Sequence, residues 1–273
     1  MSRDVSAARA GSVRIGDRTV HRLGLGTNRI VDSAPARAVL RRAVELGVDF
    51  VDTADIYQGG TSESTIGTTL GDSARDLLVA TKGGMTRSTE GLGMDGRPDH
   101  LRQAVEDSLR RLRTDCIELY QFHRPDPQVP LETSIGALKE MQRAGQIRRI
   151  GLCNVTVDEV ERARRLVTIV SVQNQYNVLE REHEPVLDYC ERHEIAFIPH
   201  TPLLRGSLAR AQRLTEIAIA RNVSPHQLAL AWLLRRSSVV LPIPGTLSVA
   251  HLEENLAAAD VELSDDEFQQ LRL

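Results

Sequence analysis

Four polar side chains have the types and the placement needed for acid–base chemistry: Asp52, Tyr57, Lys82 and His123. They end or follow three successive apolar runs that predict strands. A tyrosine hydroxyl is a weak acid at neutral pH, and we expect the Lys82 ammonium to lower its pKa. Asp52 would supply the counter-ion that a buried ammonium requires. With His123 donating a hydrogen bond to a carbonyl oxygen, the set predicts a proton donor beside an oxyanion site.

Reduction of a carbonyl also needs a hydride, which no side chain provides, so the set implies a nicotinamide cofactor. Lys82 is unusual in a second way, because it and Lys139 are the only lysines among 34 Lys and Arg residues. Unlike arginine, lysine is a compact charge whose pKa can shift on burial. That property also allows a barrel aldolase in which Lys82 is a Schiff-base nucleophile. Taken singly, each of the four residues has an ordinary structural interpretation as a cap, an ion pair or a packing contact.

The elements that must position these side chains alternate between strand and helix along most of the chain. The predicted strands are Leu23–Gly26, Asp49–Thr53, Leu77–Thr81, Ile117–Phe122, Arg149–Cys153, Val170–Gln173, Ala196–Pro199 and Val239–Ile243. The predicted helices are Ala36–Leu46, Ser62–Leu70, His100–Leu112 with Asp99 as its N-cap, Leu131–Ala144, Thr156–Val167, Glu184–His193, Ser224–Arg235 and Ser248–Ala258.

These eight strand–helix units occupy 273 residues, close to the roughly 250 residues of one (β/α)8 TIM barrel. We therefore predict a single α/β barrel domain over 1–273 rather than an open doubly wound sheet. An N-terminal β-hairpin of Ser12–Ile15 and Thr19–Leu23 precedes it. In such a barrel the active site forms on the loops at the C-terminal ends of the strands, where the four side chains can converge.

Composition and charge narrow the classes of partner. A formal net charge of −3 argues against nucleic acid or an anionic membrane, and no apolar run approaches the roughly 18 residues needed to span a bilayer. The polar N-terminus lacks a secretory signal, and Cys116, Cys153 and Cys190 are far apart, which favours reduced thiols in the cytoplasm. No zinc motif is present. We expect a metal-free, monomeric cytoplasmic protein that acts on a small-molecule carbonyl substrate.

Several motifs, in order along the chain, resemble those of a known family. They are DTADIY at 52–57 with Ser62 and Glu63, Thr81-Lys82, YQFHRPD at 120–126, GLCNV at 151–155, VQNQYN at 172–177, IPGT at 243–246 and HLEEN at 251–255. From about Val20 to Asn255 the chain resembles the aldo-keto reductase family. The resemblance implies that Tyr57 is the general acid and that Asp52, Lys82 and His123 tune and orient it.

The resemblance also implies a cofactor site. Cys153, Asn154 and Gln173 would hold the nicotinamide carboxamide, and the loop 202–208 would follow the pyrophosphate. The N-terminus of the helix near Ser248 would meet the adenosine phosphate, because its free amides suit an anion. The complete predicted set is Gly26, Thr27, Cys153, Asn154, Gln173, His200, Pro202, Leu203, Gly206, Ser207, Gly245, Thr246, His251, Glu254 and Asn255.

The chain departs from the family pattern at several of these positions. Cys153 replaces the usual Ser, and His200 stands where an aromatic ring usually stacks on the nicotinamide. Gly245 and His251 stand where many members carry the Lys and Arg that bind a 2′-phosphate. Bacterial members with similar Pro-Gly-Thr and His-Leu-x-Glu-Asn patterns are NADPH enzymes, so we expect NADPH, with NADH as the alternative.

The substrate is the least specified feature. Aromatic residues make up 3% of the chain, and the one Trp, Trp232, is expected in the core. The chain ends at Leu273 soon after the last predicted helix, which predicts an open site that accepts many aldehydes or ketones. A resemblance to bacterial pyridoxal reductases of the family makes pyridoxal a candidate. The remaining alternative is a cofactor-binding regulatory subunit of the same fold, which a large exposed apolar patch would favour.

Overall fold

The computed structural model describes residues 5–88, 91–203 and 211–271, and parallel strands form its centre. The strands of the described residues are β1 Ser12–Ile15, β2 Arg18–His21, β3 Leu25–Gly26, β4 Phe50–Asp52, β5 Leu78–Gly83, β6 Met85–Ser88, β7 Gly91–Met94, β8 Leu119–Phe122, β9 Ile150–Cys153, β10 Ile169–Gln173 and β11 Ala196–Phe197. Seven of them form one parallel sheet in the order β11-β10-β9-β8-β5-β4-β3.

The two edges of this sheet are joined by an extended segment, 239–244. The Phe197 amide of β11 donates to the Val239 carbonyl at 2.8 Å, and on the other side the Gly24 amide donates to the Pro242 carbonyl at 3.1 Å. The sheet therefore closes into a (β/α)8 barrel. The predicted strand Val239–Ile243 is wrong as a regular ladder, because Pro242 and Pro244 have no N–H to donate. The segment makes only one isolated bridge, between Phe197 and Val240.

Helices surround the barrel and bury one face against the strands. They are α1 Ala34–Glu45, α2 Thr61–Leu70, α3 Pro98–Leu112, α4 Leu131–Arg143, α5 Val157–Arg164, α6 Glu184–Arg192, α7 Gln212–Ala220, α8 Pro225–Arg236, α9 Val249–Leu256 and α10 Asp265–Gln270. The eight predicted helices are present, whereas α7 and α10 were not expected. Within the described ranges, no helix is long and apolar enough to cross a membrane.

Capping residues set several helix starts. Ser224 caps α8 with a complete capping box, with Pro225 in the first turn. The prediction that Asp99 caps α3 is wrong. The N-cap is Arg97, and Asp99 lies inside the first turn, because Pro98 has the φ angle of a first helical residue and needs no N–H partner there.

The N-terminal hairpin covers the end of the barrel opposite the predicted active site. β1 and β2 pair antiparallel from Ser12↔His21 to Ile15↔Arg18. Val13, Ile15 and Val20 pack in one apolar cluster with inward-facing strand residues such as Phe50 and Leu119. Trp232 is completely buried, as predicted, and stacks against Tyr176 and Phe268. With one end of the barrel covered, the other end is left for chemistry.

Candidate active site

Lys82, Asp52 and Tyr57 form a hydrogen-bonded trio at the C-terminal end of the barrel, in which Lys82 and Asp52 are buried and Tyr57 is partly exposed. Lys82 Nζ donates to Asp52 Oδ2 at 2.7 Å, to the Thr53 carbonyl oxygen at 2.8 Å and to the Tyr57 hydroxyl at 3.3 Å. The Lys82 side chain is 0% exposed and that of Asp52 is 2% exposed. All three N–H groups of the ammonium therefore have protein partners, which balances a charge that water cannot reach.

Neighbouring strands and one loop bring the trio together. β4 ends at Asp52, and its register with β5 pairs Asp52 with Ala80. Lys82 lies two residues beyond Ala80, so the Lys82 and Ala80 side chains project to the same face of the sheet, which is also the face of Asp52. Tyr57 begins a 3₁₀ turn after β4. The loop is tied to β5 because the Asp55 amide donates to the Lys82 carbonyl at 3.0 Å.

Burial and nearby charge set the protonation of Lys82. Burial alone lowers its pKa, but Asp52 and Tyr57 reverse this effect, so the net pKa lies above the ordinary lysine value. A Schiff-base nucleophile has to be a neutral amine that the substrate can reach. Because Lys82 is charged and inaccessible, the structure does not support the aldolase alternative.

The pKa of Tyr57 differs from the expectation. Burial raises its pKa, and the Lys82 ammonium offsets only part of this rise. The expected net lowering of the Tyr57 pKa is therefore wrong, because desolvation of the phenolate outweighs the attraction of the ammonium. Tyr57 is a protonated phenol at neutral pH, and the adjacent Lys82 ammonium stabilises the phenolate that forms when the proton leaves.

His123 follows β8, the neighbour of β5, and its ring faces that of Tyr57. The two ring centres are 6.1 Å apart, with the planes at 79°. Burial, followed by the charges of Lys82, His200 and Arg124, holds the His123 pKa well below its usual value. Its Nδ1 is buried with no hydrogen-bond partner among the described residues. The imidazole is therefore neutral at pH 7 and carries one N–H that can donate to a carbonyl oxygen.

Two glutamines hold the second oxygen of Asp52. Gln173 Nε2 donates to Asp52 Oδ1 at 2.8 Å, and Gln121 Nε2 lies 3.4 Å from the same atom. The sequence suggested a carboxamide-binding role for Gln173 and no link to Asp52. The carboxylate is thus fixed on one side by the ammonium and on the other by amides, which orients it for Lys82.

The residues expected around a nicotinamide lie next to this group. Asn154 Nδ2 donates to the His123 carbonyl at 2.9 Å, and Asn154 Oδ1 lies 3.1 Å from His200 Nε2. The Asn154 amide therefore keeps one N–H and one lone pair for a ligand. Burial raises the pKa of Cys153, so it is a neutral thiol, and its sulfur lies 3.7 Å from Gln121 Oε1.

A cleft of about 770 Å³ opens above these residues. Its lining includes the catalytic candidates Asp52, Tyr57 and His123, while Lys82 lies behind them. It also includes these members of the predicted cofactor set: Gly26, Thr27, Cys153, Asn154, Gln173, His200, Pro202, Leu203, Gly245, Thr246, His251, Glu254 and Asn255. The predictions for Gly206 and Ser207 lie outside the described residues.

One end of the cleft is suited to a phosphate. Ser248 caps α9, and Ser248, Thr246 and His251 line the cleft around this helix start. Free amides at a helix N-terminus favour an anion. Together with the amides of Asn154 and Gln173 and the ring of His200, this set of groups fits a nicotinamide dinucleotide. No group of three or more His, Cys, Asp or Glu side chains that could hold a metal occurs within the described ranges.

The opposite wall of the cleft was missed by sequence reasoning. β6 and β7 form an antiparallel hairpin directly after β5, and it contributes Met85, Arg87 and Leu92 to the lining. Arg124 lines the cleft beside His123. The glycine-rich segment 91–96 carries no alternation of polar and apolar residues, so no pattern predicted this hairpin.

A second polar cluster lies next to the trio and was also missed. Glu63 is completely buried and accepts hydrogen bonds from Thr81 Oγ1 at 2.5 Å and from Arg111 Nε at 2.6 Å. Burial, followed by the Glu63 charge, raises the pKa of Asp55 to about 7. Asp55 Oδ1 and Tyr120 Oη are buried without partners among the described residues. The sequence pattern included Ser62 and Glu63 in a motif but gave neither residue a role of its own.

The similarity of this chain to known proteins covers the residues of the barrel and of the cleft. A sequence model described as the Aldo/keto reductase family matches residues 22–272. An uncharacterized oxidoreductase of Schizosaccharomyces pombe is 41% identical over 279 residues, covering 98% of this chain and 90% of the relative. Pyridoxine 4-dehydrogenase of Escherichia coli is 36% identical over 269 residues, covering 92% and 94%.

Solved structures agree with these matches. A thermostable aldo-keto reductase, Tm1743, in complex with the inhibitor epalrestat is similar with a TM-score of 0.85 at 32% identity, covering 96% of this chain and 98% of that one. An aldo/keto reductase of Klebsiella pneumoniae, in complex with NADP and acetate, has a TM-score of 0.83 at 29% identity, covering 95% and 93%.

Proposed function

Because the chain belongs to the aldo/keto reductase family, and so is an NAD(P)H-dependent oxidoreductase acting on carbonyls, we propose that it reduces an aldehyde or ketone to an alcohol with Tyr57 as the general acid. The observation that carries the proposal is the position of Lys82 Nζ, 3.3 Å from the Tyr57 hydroxyl and 2.7 Å from Asp52. Burial keeps the phenol protonated at rest, and the Lys82 ammonium stabilises the phenolate that forms when Tyr57 gives up its proton.

The residues act together on one carbonyl group. A reduced nicotinamide held beside Asn154 and Gln173 would supply the hydride for the carbonyl carbon. The carbonyl π electrons move to oxygen, and that oxygen takes the proton from Tyr57 Oη. Lys82 stabilises the resulting phenolate, and the neutral His123 donates a hydrogen bond that orients the carbonyl and offsets its developing negative charge.

We propose NADPH as the cofactor, with NADH as the alternative. Asn154, Gln173 and Cys153 would hold the carboxamide, and His200 would lie against the nicotinamide ring. The start of α9, with Thr246, Ser248 and His251, would hold the adenosine phosphate. The Klebsiella pneumoniae relative in complex with NADP supports this choice.

Pyridoxal is the named candidate substrate. The pyridoxine 4-dehydrogenase of Escherichia coli supports it, because oxidation of an alcohol at C4 is the reverse of reduction of the pyridoxal aldehyde. No observation favours a regulatory role in place of catalysis. The single domain, the monomeric state and the cytoplasmic location stay predictions.

A cofactor-oxidation screen tests the proposal. NADPH and NADH absorbance at 340 nm would be followed with a panel of aldehydes, ketones and pyridoxal, for the wild type and for Tyr57→Phe. We expect oxidation of NADPH by at least some aldehydes and a loss of at least about a hundredfold in kcat for the variant, with cofactor affinity retained. Near-normal turnover by the variant on every substrate would refute the role of Tyr57, and no oxidation of either cofactor by any carbonyl would refute the function.

A further inference from the structure

We infer that the physiological carbonyl substrate carries an anionic group, a carboxylate or a phosphate, which Arg124 and Arg87 bind. Pyridoxal itself has neither group, so this inference favours a different aldehyde, or a phosphorylated form of pyridoxal, as the physiological substrate. The inference rests on the proposed function and names its substrate class. It starts from two arginines in the wall of the cleft that sequence reasoning missed.

Arg124 is the nearer of the two to the proposed chemistry. It directly follows His123, lines the same cleft as Tyr57, and its charge contributes to the lowered pKa of His123. Its side chain is exposed. Most arginines of the described ranges are paired with a carboxylate or a carbonyl, but no ion pair or hydrogen bond involves the side chain of Arg124 there.

Arg87 stands on the adjoining wall. It belongs to β6 of the hairpin that follows β5, and it too is exposed and lines the cleft. Among the described residues its guanidinium likewise has no carboxylate partner. Since β5 and β8 are neighbours in the sheet, Arg87 and Arg124 follow adjacent strands, on the same side of the opening.

The barrel topology separates these arginines from the phosphate end of the cleft. In the closed ring, β8 is the fourth strand from the closing segment 239–244 in either direction. The start of α9 follows that closing segment, so Arg124 and the expected adenosine phosphate site lie on opposite sides of the barrel. Arg29, which follows β3 beside the closing segment, is the arginine placed nearer the cofactor end.

The acidic residues of the cleft do not neutralise Arg124 and Arg87. The acidic lining residues are Asp52 and Glu254. Asp52 is already paired with Lys82 at 2.7 Å, and Glu254 lies on α9, at the phosphate end. The lining on the substrate side therefore offers two arginines and no acidic side chain free to pair with them, which favours an anion over a neutral or cationic molecule. A planar guanidinium binds carboxylate and phosphate alike.

The test compares two aldehydes of the same shape that differ in charge, 4-carboxybenzaldehyde and its methyl ester. The ester is the more electrophilic aldehyde, so a preference for the carboxylate has to come from the protein. We expect a kcat/KM ratio of about tenfold in favour of the carboxylate, from a charge-assisted hydrogen bond at a partly exposed site. The preference should fall as the salt concentration rises.

Variants assign the preference to residues. Arg124→Gln should bring the carboxylate-to-ester ratio close to one, Arg124→Lys should keep part of it, and Arg87→Gln should lower it to a smaller extent. The matched control is Arg192→Gln, which removes the same charge at the end of α6, on the opposite face of the barrel. Calorimetric titration with 4-methylbenzoate, which cannot be reduced, gives a second readout, and its affinity should fall in Arg124→Gln but not in the control.

The possible outcomes separate the two proposals. A ratio near one in the wild type, with both aldehydes reduced, overturns the anionic substrate and leaves the proposed function standing. A preference that Arg124→Gln and Arg192→Gln change equally overturns the assignment to Arg124. If neither aldehyde is reduced while other carbonyls are, the anionic inference is again overturned. If no carbonyl of any kind is reduced, the proposed function fails as well.

Discussion

The Lys82 ammonium lies 2.7 Å from the Asp52 carboxylate, and both side chains are almost completely buried. Each charge is therefore balanced almost entirely by the other and by the hydrogen bonds around them. Removing one partner leaves an uncompensated buried charge, which typically costs about 3–5 kcal/mol, whereas removing both costs much less.

We therefore predict non-additive stabilities for this pair. Lys82→Met and Asp52→Asn should each lower the free energy of unfolding by about 3 kcal/mol or more. The double variant should lose less stability than the sum of the two single losses. Urea unfolding of the four proteins measures this coupling. Additive losses would mean that the two charges are stabilised independently of each other.

Asp55 should make stability depend on pH. Its pKa in the folded protein is raised to about 7, above its unfolded value. The protonated Asp55 therefore leaves the free energy of unfolding undiminished below pH about 4, and the protein loses stability as the pH rises towards 7. Asp55→Asn removes this loss. Relative to the wild type, the variant should gain about 2–4 kcal/mol between pH 4 and pH 8. Identical pH profiles of unfolding for the two proteins would contradict the raised pKa.

Gly67 should be intolerant of a side chain although it lies in a helix. A Cβ there would lie 2.5 Å from the Arg111 carbonyl oxygen and 2.9 Å from the Leu112 carbonyl carbon, because α2 and α3 approach closely at this point. Gly67→Ala should lower the melting temperature despite the better helix propensity of alanine. The matched control is Gly136→Ala in α4, where nothing lies within 4 Å, and it should be neutral or stabilising by up to about 1 kcal/mol.

Cys153 should limit the affinity for the cofactor. A thiol is a weak hydrogen-bond donor and acceptor compared with a hydroxyl, and Cys153 lines the cleft beside Asn154. Cys153→Ser should tighten cofactor binding by up to about tenfold, the worth of one net hydrogen bond. Fluorescence titration with NADPH measures it. Cys190→Ser, in α6 and completely buried, should lower stability and leave the affinity unchanged; equal effects on affinity would contradict a direct contact.

The sequence alone was sufficient to place the four residues at one end of a barrel. Alternating apolar runs and amphipathic helices predict eight strand–helix units, and closure of such a barrel brings successive strand ends together whatever the details of the loops. Asp52, Tyr57, Lys82 and His123 therefore converge as a consequence of topology, and the local pattern of the chain encodes that topology.

Properties that depend on surroundings required the tertiary structure. The net pKa of Tyr57 follows from a competition between burial, which raises it, and the Lys82 ammonium, which lowers it. The hydrogen bonds of Gln173 and Gln121 to Asp52 likewise join groups far apart along the chain. The hairpin of β6 and β7 is local, but its glycine-rich second strand carries no alternation that would have predicted it. Whether Arg124 has a partner among the described residues also depends on the folded structure. A sequence pattern reports which residues alternate between inside and outside, but desolvation, pairing and free charge are set by what each side chain finally lies against.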